Sequence, residues 1–555
     1  MERLSPQGER LLYGMIVLAA LAVRLAALGN APLSAQEAKL ALTALEAAKR
    51  AHPAFGSQPA LAAFTSLVFF LLGRTDAMAR LIPALAGGLL PLLAWPLRRR
   101  LGRLAALLFA CALAFDPGLV ALSRVANSPI PALLLGMGAF LLAADNRWEY
   151  ALPLGVLAVL FGPSFWFGML VLLIAALLGW AFGGVRLRMP RLSKRVVEGG
   201  FWALALIGTL FYWSPGVLGA ALNSLVGFVS VGRGADSVSA FEAVFILLAY
   251  SPLAVGAALV GLFLAWRAQS TELPAHSRWL RGMLIFLAAA LVALFVYPLR
   301  PVAFLAWVLP TLWLVAAWAL SRLPKPSTAA SVHAVLIFLL FSFVLLNTFG
   351  FANSIAGSKV ATARLVLIAL TFLLMLAATA LLAWGWTLDE ALSGFAWGAT
   401  IFVLVLNLSA LYRAAYAPRP QEFWYGEPAS PNVRLLQRTV ADFGNWVHGR
   451  ADTLTLLDLT NSPALAWDFH SLHTYKAAVF TPPRAKPEAA ITARNAQPPK
   501  GAAYTGQDFR VTARTVFPFA NLREALKWLA FRQSTLESRS DVLWIRNDLF
   551  AGAKK

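Results

Sequence analysis

The feature that most limits what this chain can become is its series of long stretches without a charged residue. Met283–Leu299 contains no Asp, Glu, Lys or Arg, and neither does Ser331–Gly350. Each is close to the ~20 residues that cross a hydrocarbon core roughly 30 Å thick. Composition agrees: 59% of the 555 residues are hydrophobic and only 13% are charged, where soluble domains carry about a quarter. A water-soluble fold has no use for so many apolar runs, so the chain reads as an integral membrane protein. The formal charge of +21 does not argue for nucleic acid, because the basic residues fall mainly in short loops between the runs. That is the distribution that orients membrane helices. Cys111 is the single cysteine and lies inside an apolar run, which excludes a disulfide framework.

Thirteen runs read as spans: Leu11–Leu28, Ala77–Leu97, Leu104–Leu122, Pro129–Ala144, Tyr150–Phe161, Phe165–Phe182, Phe201–Ser214, Ala240–Trp266, Met283–Tyr297, Val302–Leu320, Val332–Phe349, Leu365–Trp384 and Phe395–Tyr412. The residues before Leu11 are near neutral and Arg24 interrupts the first run, so this is an uncleaved helix and not a signal peptide. Aromatic residues at many ends, Tyr212, Trp213, Tyr297 and Trp384 among them, suit headgroup anchors. Ala60–Leu72 is short for a span. Loop charge settles its treatment. The basic loops at Arg98–Arg103, Arg186–Arg195, Arg267–Arg281 and Arg322–Lys325 share one side only if Gly29–Asp76 stays wholly outside. Ala60–Leu72 is therefore expected in the outer interface, with the N-terminus cytoplasmic.

Inside that outer loop, Ser34-Ala-Gln-Glu37 fits a capping box opening a helix through Lys49. Leu42 and Leu45 give it an apolar side expected to rest on the membrane. After Tyr412 polar residues return. Strand-length apolar stretches stand at Thr453–Leu459, Ala477–Phe480, Val511–Val516 and Val542–Ile545, with helical patterns at Asn432–Val447 and Asn521–Phe531 and a Pro-rich loop over Thr481–Lys500. The expected organisation is a helical polytopic membrane domain over residues 1–415 and a small α/β domain over 416–555, outside the membrane.

Several motifs follow one another in order. They are Arg24-Leu-Ala-Ala-Leu-Gly, Pro32-Leu-Ser-Ala-Gln-Glu-Ala38, Gly73-Arg-Thr-Asp76, Ala79-Arg-Leu-Ile-Pro-Ala-Leu-Ala-Gly87 and Phe115-Asp-Pro-Gly-Leu-Val-Ala-Leu-Ser-Arg124. This order resembles GT-C glycosyltransferases of the protein O-mannosyltransferase and aminoarabinose transferase group, over roughly Leu11–Trp180. The tail, with Ala503–Phe509 and Val542–Phe550, resembles a branch with a soluble C-terminal domain. The resemblance implies transfer of a sugar from a polyprenyl phosphate to a protein or glycan acceptor on the outer face of the cell membrane. It also implies an Asp-Glu pair in the first outer loop, whose Asp position here is Gln36. A second acidic position falls on Ser128 or Pro129.

The candidate site residues each carry two readings. Glu37 is either a general base or divalent-ion ligand, or only the closing residue of the capping box. Asp76 is a second acid of the same cleft, or with Thr75 a helix cap. Arg24, Arg80 and Arg124 near outer helix ends suit a departing phosphate, or snorkel to headgroups. Asp116 reads as a structural cap, and Glu242 as facing a cavity because lipid is costly for it. Asp468, His470 and His473 lack a further clear ligand for a metal, and His52 stands alone. No cofactor is required by these motifs, with a divalent cation the one candidate. The expected function is a polyprenyl-phosphate-dependent membrane glycosyltransferase. A non-catalytic GT-C scaffold that binds lipid-linked sugar is the first rival and a transporter the second.

Overall fold

In a computed structural model the protein is described over residues 5–49, 55–183, 193–209, 216–229, 237–268, 274–298, 300–472, 474–478 and 486–551. His52, Arg186, Arg188, Arg191, Tyr212, Trp213 and His473 lie outside these. The chain is a multi-pass helical membrane protein followed by a five-stranded sheet domain. Among the described residues six helices are long and apolar enough to cross a membrane, or eight when two bent pairs are each taken as one. Shorter apolar helices, including Pro129–Ala144, Trp148–Val159 and Leu280–Val296, pack among them.

The helix Leu305–Leu320 is the axis of the bundle, with nearly every side chain buried. Small residues let neighbours approach it. Gly168 sits against Trp307, and Gly261 against Val315 and Ala319, where an added Cβ would come within 3.0 Å of Trp307 and Val315. Close backbone approach of this kind is how helices associate where lipid is as apolar as the side chains.

Two of the expected spans are bent. Arg103–Phe115 meets Pro117–Ser123 at 48°, and Ala240–Tyr250 meets Pro252–Arg267 at 99°. Proline follows each break and cannot continue the hydrogen-bond ladder. Freed backbone groups in an apolar setting must be satisfied from elsewhere, and Asp116 does so. Its Oδ1 accepts from Leu119 N (2.9 Å), while Oδ2 accepts from Ser251 Oγ (2.6 Å) and Trp313 Nε1 (2.8 Å). One carboxylate thus joins both breaks to the axial helix. Glu242 completes a capping box with Ser239 and lines neither of the two cavities described below.

Helix α1 (Pro6–Leu25) fixes the two ends of the molecule. Near its start, Glu9 lies 3.9 Å from Arg103, and Tyr13 packs on Trp95 beside the Arg98 cluster. Near its end lie α2 (Ala35–Ala48), α3 (Pro59–Leu72), the short α4 (Asp76–Ala79), α5 (Leu81–Leu89) and the sheet domain. The basic loop and the acidic loop are at opposite ends. Helix α2 is not laid on lipid: Leu45 is buried in a cluster with Phe69, Ala464 and Trp467. The apolar side read from Leu42 and Leu45 is covered by protein. Helix α3 carries the exposed apolar face instead, through Leu67, Phe70, Leu71 and Leu72.

The last long helix ends at Tyr416, and the sheet domain begins after a linker. Strands β1 (Leu456–Asp458), β2 (Tyr475–Ala477), β3 (Ala489–Ala493), β4 (Tyr504–Thr515) and β5 (Leu536–Arg546) are ordered β2-β1-β3-β5-β4. The first three are parallel, while β5 runs antiparallel to β3 and β4. Strand β3 falls inside the segment expected as a Pro-rich loop. Its Ala-Ala-Ile-Thr-Ala is short and Ala-rich, a weak strand signal, yet as a central strand it is buried over its first four residues. The helices Asn432–His448 and Leu522–Phe531 stand where their periodicity places them.

Candidate functional site

The outer end of α1, helix α2, the turn after Ser123 and the linker after Tyr416 meet at a buried ion network. Ser34 caps α2, and Glu37 reaches back to Ser34 N (3.0 Å), so the capping box is formed. The same carboxylate accepts from three further residues. Arg80 binds it through both ends of its fork, Nε to Oε1 at 2.7 Å and Nη2 to Oε2 at 2.9 Å. Ala126 N donates to Oε1 at 2.9 Å, and Arg419 Nη1 to Oε2 at 3.1 Å. Glu37 is 1% exposed. Burial alone would raise its pKa, but Arg80, Arg419 and the hydrogen bonds from Arg80 and Ser34 bring it down to about 2. A carboxylate so engaged is a poor proton acceptor. With two guanidinium groups against it, it is also a poor cation ligand.

The three arginines expected at a phosphate are engaged with the protein itself. Arg80, fully buried, also donates to the carbonyls of Leu28, Ala31 and Pro32, which fixes the turn between α1 and α2. Arg24, equally buried, donates to the carbonyls of Ala20, Leu113 and Ala114, in the space left by Gly87. Arg124 donates to the carbonyls of Val23, Arg24, Ala26 and Ala27. These are the orphan acceptors at the end of α1, where a cation is favoured.

Asp76 does not join Glu37. Thr75 caps α4 by accepting from Met78 N. Asp76 turns to the sheet domain, accepting from Trp467 Nε1 at 2.8 Å and lying 3.6 Å from Arg434. Asp468 stands beside it; burial, with Asp76 near, pushes its carboxyl well above the usual carboxylate range. His470 stacks on Trp467. Among the described residues no three His, Cys, Asp or Glu side chains are grouped to hold a metal ion.

Two cavities flank the network. The larger, about 340 Å³, lies between α2 and the linker; Gln36, Lys39, Gln58, Asn127, Tyr425 and Glu427 are among its walls. Glu37 and Arg419 also line it, as does Pro129, one of the two residues, with Ser128, on which the second expected acid falls. Gln58 Nε2 donates to Asn127 Oδ1 at 2.7 Å, leaving Gln58 Oε1 without a partner. The smaller, about 230 Å³, is lined by Asn30, Arg124, Tyr416, Arg419 and Arg434. Neither Arg24, Arg80 nor Asp76 lines either one.

Sequence reasoning missed Arg419, Arg434 and Glu427. All three lie after the last span, where no periodicity or motif ties them to the first outer loop. The linker is clamped by Arg419 Nη2 on Arg124 O (2.7 Å) and by Tyr425 OH on Ala414 O (2.8 Å). A second buried pair, Arg532 with Glu422 at 2.8 Å, adds to this, the latter carboxylate also accepting from Tyr250 OH.

The bundle with its buried axial helix, the helical first outer loop and the sheet domain seated on that loop together have the fold of a solved membrane protein. The chain matches a crystal structure of ArnT from Cupriavidus metallidurans bound to undecaprenyl phosphate at 15% identity, over 98% of this chain and 99% of that one, with a TM-score of 0.53. The apo structure of the same protein matches at 16% identity over 84% and 85%, with a TM-score of 0.49. No protein-family model and no curated protein sequence matches the chain.

Proposed function

We propose that this protein is a membrane glycosyltransferase that takes its sugar from a polyprenyl-phosphate donor and passes it to an acceptor on the extracytoplasmic face. The single observation that carries this reading is the cavity between α2 and the linker, set in a fold shared with a structure that holds undecaprenyl phosphate. Among the described residues Lys39 and Arg419 are the cations on its walls, suited to the charge that grows on a departing phosphate. Arg124 and Arg434 on the neighbouring cavity extend the positive field. In this reading Glu37 and Arg80 are positioning residues that hold Arg419 and the α2 turn in place. Arg24 pins α1, and Asp76 seats the sheet domain. The N-terminus is cytoplasmic, and the domain over 416–555 is outside, where it roofs the cavity.

The engagement of Glu37 by five donors favours a second reading, a protein that binds lipid-linked sugar without transferring it. One experiment separates the two. The purified chain in lipid nanodiscs is given undecaprenyl phosphate and, separately, undecaprenyl-phosphate-linked hexose and pentose. Binding with release or transfer of sugar supports the transferase. Binding with the donor left intact supports the second reading, and no binding at all removes both.

A further inference from the structure

We infer that Glu427 is the catalytic base, the carboxylate that takes the acceptor's proton, an inference resting on the transferase reading above. Among the described residues the large cavity has two acids on its walls, Glu37 and Glu427. Glu37 is occupied by five donors, whereas Glu427 is exposed and, among the described residues, makes no hydrogen bond or ion pair. Lys39, across the same cavity, is likewise exposed and without an ionic partner among those residues. Among the described residues one free anion and one free cation therefore face a space of about 340 Å³. That is the pairing a sugar transfer needs: a base for the entering hydroxyl and a cation for the leaving phosphate.

Glu427 is also held in place. Upstream, Trp424 is buried where an added Cβ on Gly118 would meet its ring at 2.4 Å, and Tyr425 lies under the Arg419 guanidinium at 4.6 Å. Downstream, Ser430 N donates to Val511 O at 2.8 Å, fixing the segment to β4. The carboxylate thus sits on a short tether between two anchors, with only Gly426 and Pro428 beside it. Positional control of this kind is what separates a base from a surface acid.

The step balances without a redox partner. The acceptor hydroxyl gives its proton to Glu427 as its oxygen bonds to the anomeric carbon. The bond from that carbon to the lipid phosphate breaks, and its electron pair leaves on the phosphate near Lys39 and Arg419. Attack opposite the leaving group inverts the anomeric centre, and Glu427 returns its proton to water.

The test uses the full chain in nanodiscs with undecaprenyl-phosphate-linked hexose or pentose, and water or glycerol as probe acceptor. Glu427→Gln is expected to lower kcat about 100-fold or more, with the thermal midpoint unchanged and undecaprenyl phosphate binding within about twofold. Glu427→Asp restores part of the rate. A Glu427→Gln rate within about threefold of wild type overturns this inference and leaves the transferase reading intact. A rate that falls together with binding and thermal midpoint makes Glu427 structural and overturns it too. Wild-type protein that binds undecaprenyl phosphate but consumes no donor overturns the transferase reading, and this assignment with it.

Discussion

An ionised carboxylate offers about four lone-pair sites, and Glu37 accepts from Ser34, Ala126, both ends of the Arg80 fork and Arg419. Removing its charge strands two buried guanidinium groups, a loss of about 3–5 kcal/mol by the usual cost of breaking a buried pair. Glu37→Gln is therefore expected to lower the thermal midpoint of the purified protein, and Arg80→Gln to do the same. The sign of the pH effect follows from the depressed pKa. The stabilisation is complete above the ordinary carboxylate value of 4.5 and is lost as pH falls toward about 2. Unfolding followed across that window tests it, since Glu37→Gln should flatten the dependence. The capping box was legible because Ser34 and Glu37 are three residues apart. Arg80 and Arg419 lie 43 and 382 residues away, and pairing over such distances leaves no local pattern to read.

Helices whose apolar runs are long announce themselves, and those running through Val302–Leu320, Thr328–Asn353 and Lys359–Gly385 stand where the uncharged stretches put them. The bends do not. Pro117 and Pro252 each allow a kink, but the 48° and 99° angles depend on Asp116, Ser251 and Trp313 meeting in space. Strand β3 was hidden for a related reason: its burial comes from β1 and β5 on either side, not from its own composition. Close helix contacts yield a prediction at this scale. A Cβ on Gly87 would stand 2.6 Å from Arg24 Nε and from Ser123 Cβ, both fixed by burial. Gly87→Ala is expected to cost about 1–3 kcal/mol, the range for overpacking. Gly14, with nothing within 4 Å, is the matched control, and substituting it should leave the midpoint unchanged.

Across the molecule, charge separates along α1, with Arg98–Arg103 at one end and the Glu37 network at the other. Replacing Cys111 by Ala and placing single cysteines at Lys39 or Arg99 gives a direct check. An impermeant thiol reagent applied to intact cells should label the first and not the second; labelling of both, or of neither, contradicts the proposed sidedness. The linker also carries a consequence for how the protein is made. Ribosomes deliver Glu37 and Arg80 hundreds of residues before Arg419, so the membrane bundle must wait with one guanidinium missing from its polar knot. A chain ending at Tyr416 should insert but stay trypsin-sensitive in its first outer loop, measured against full-length protein in the same membranes. Assembly of the outer chamber is thereby reserved for chains whose translation has passed the last long helix.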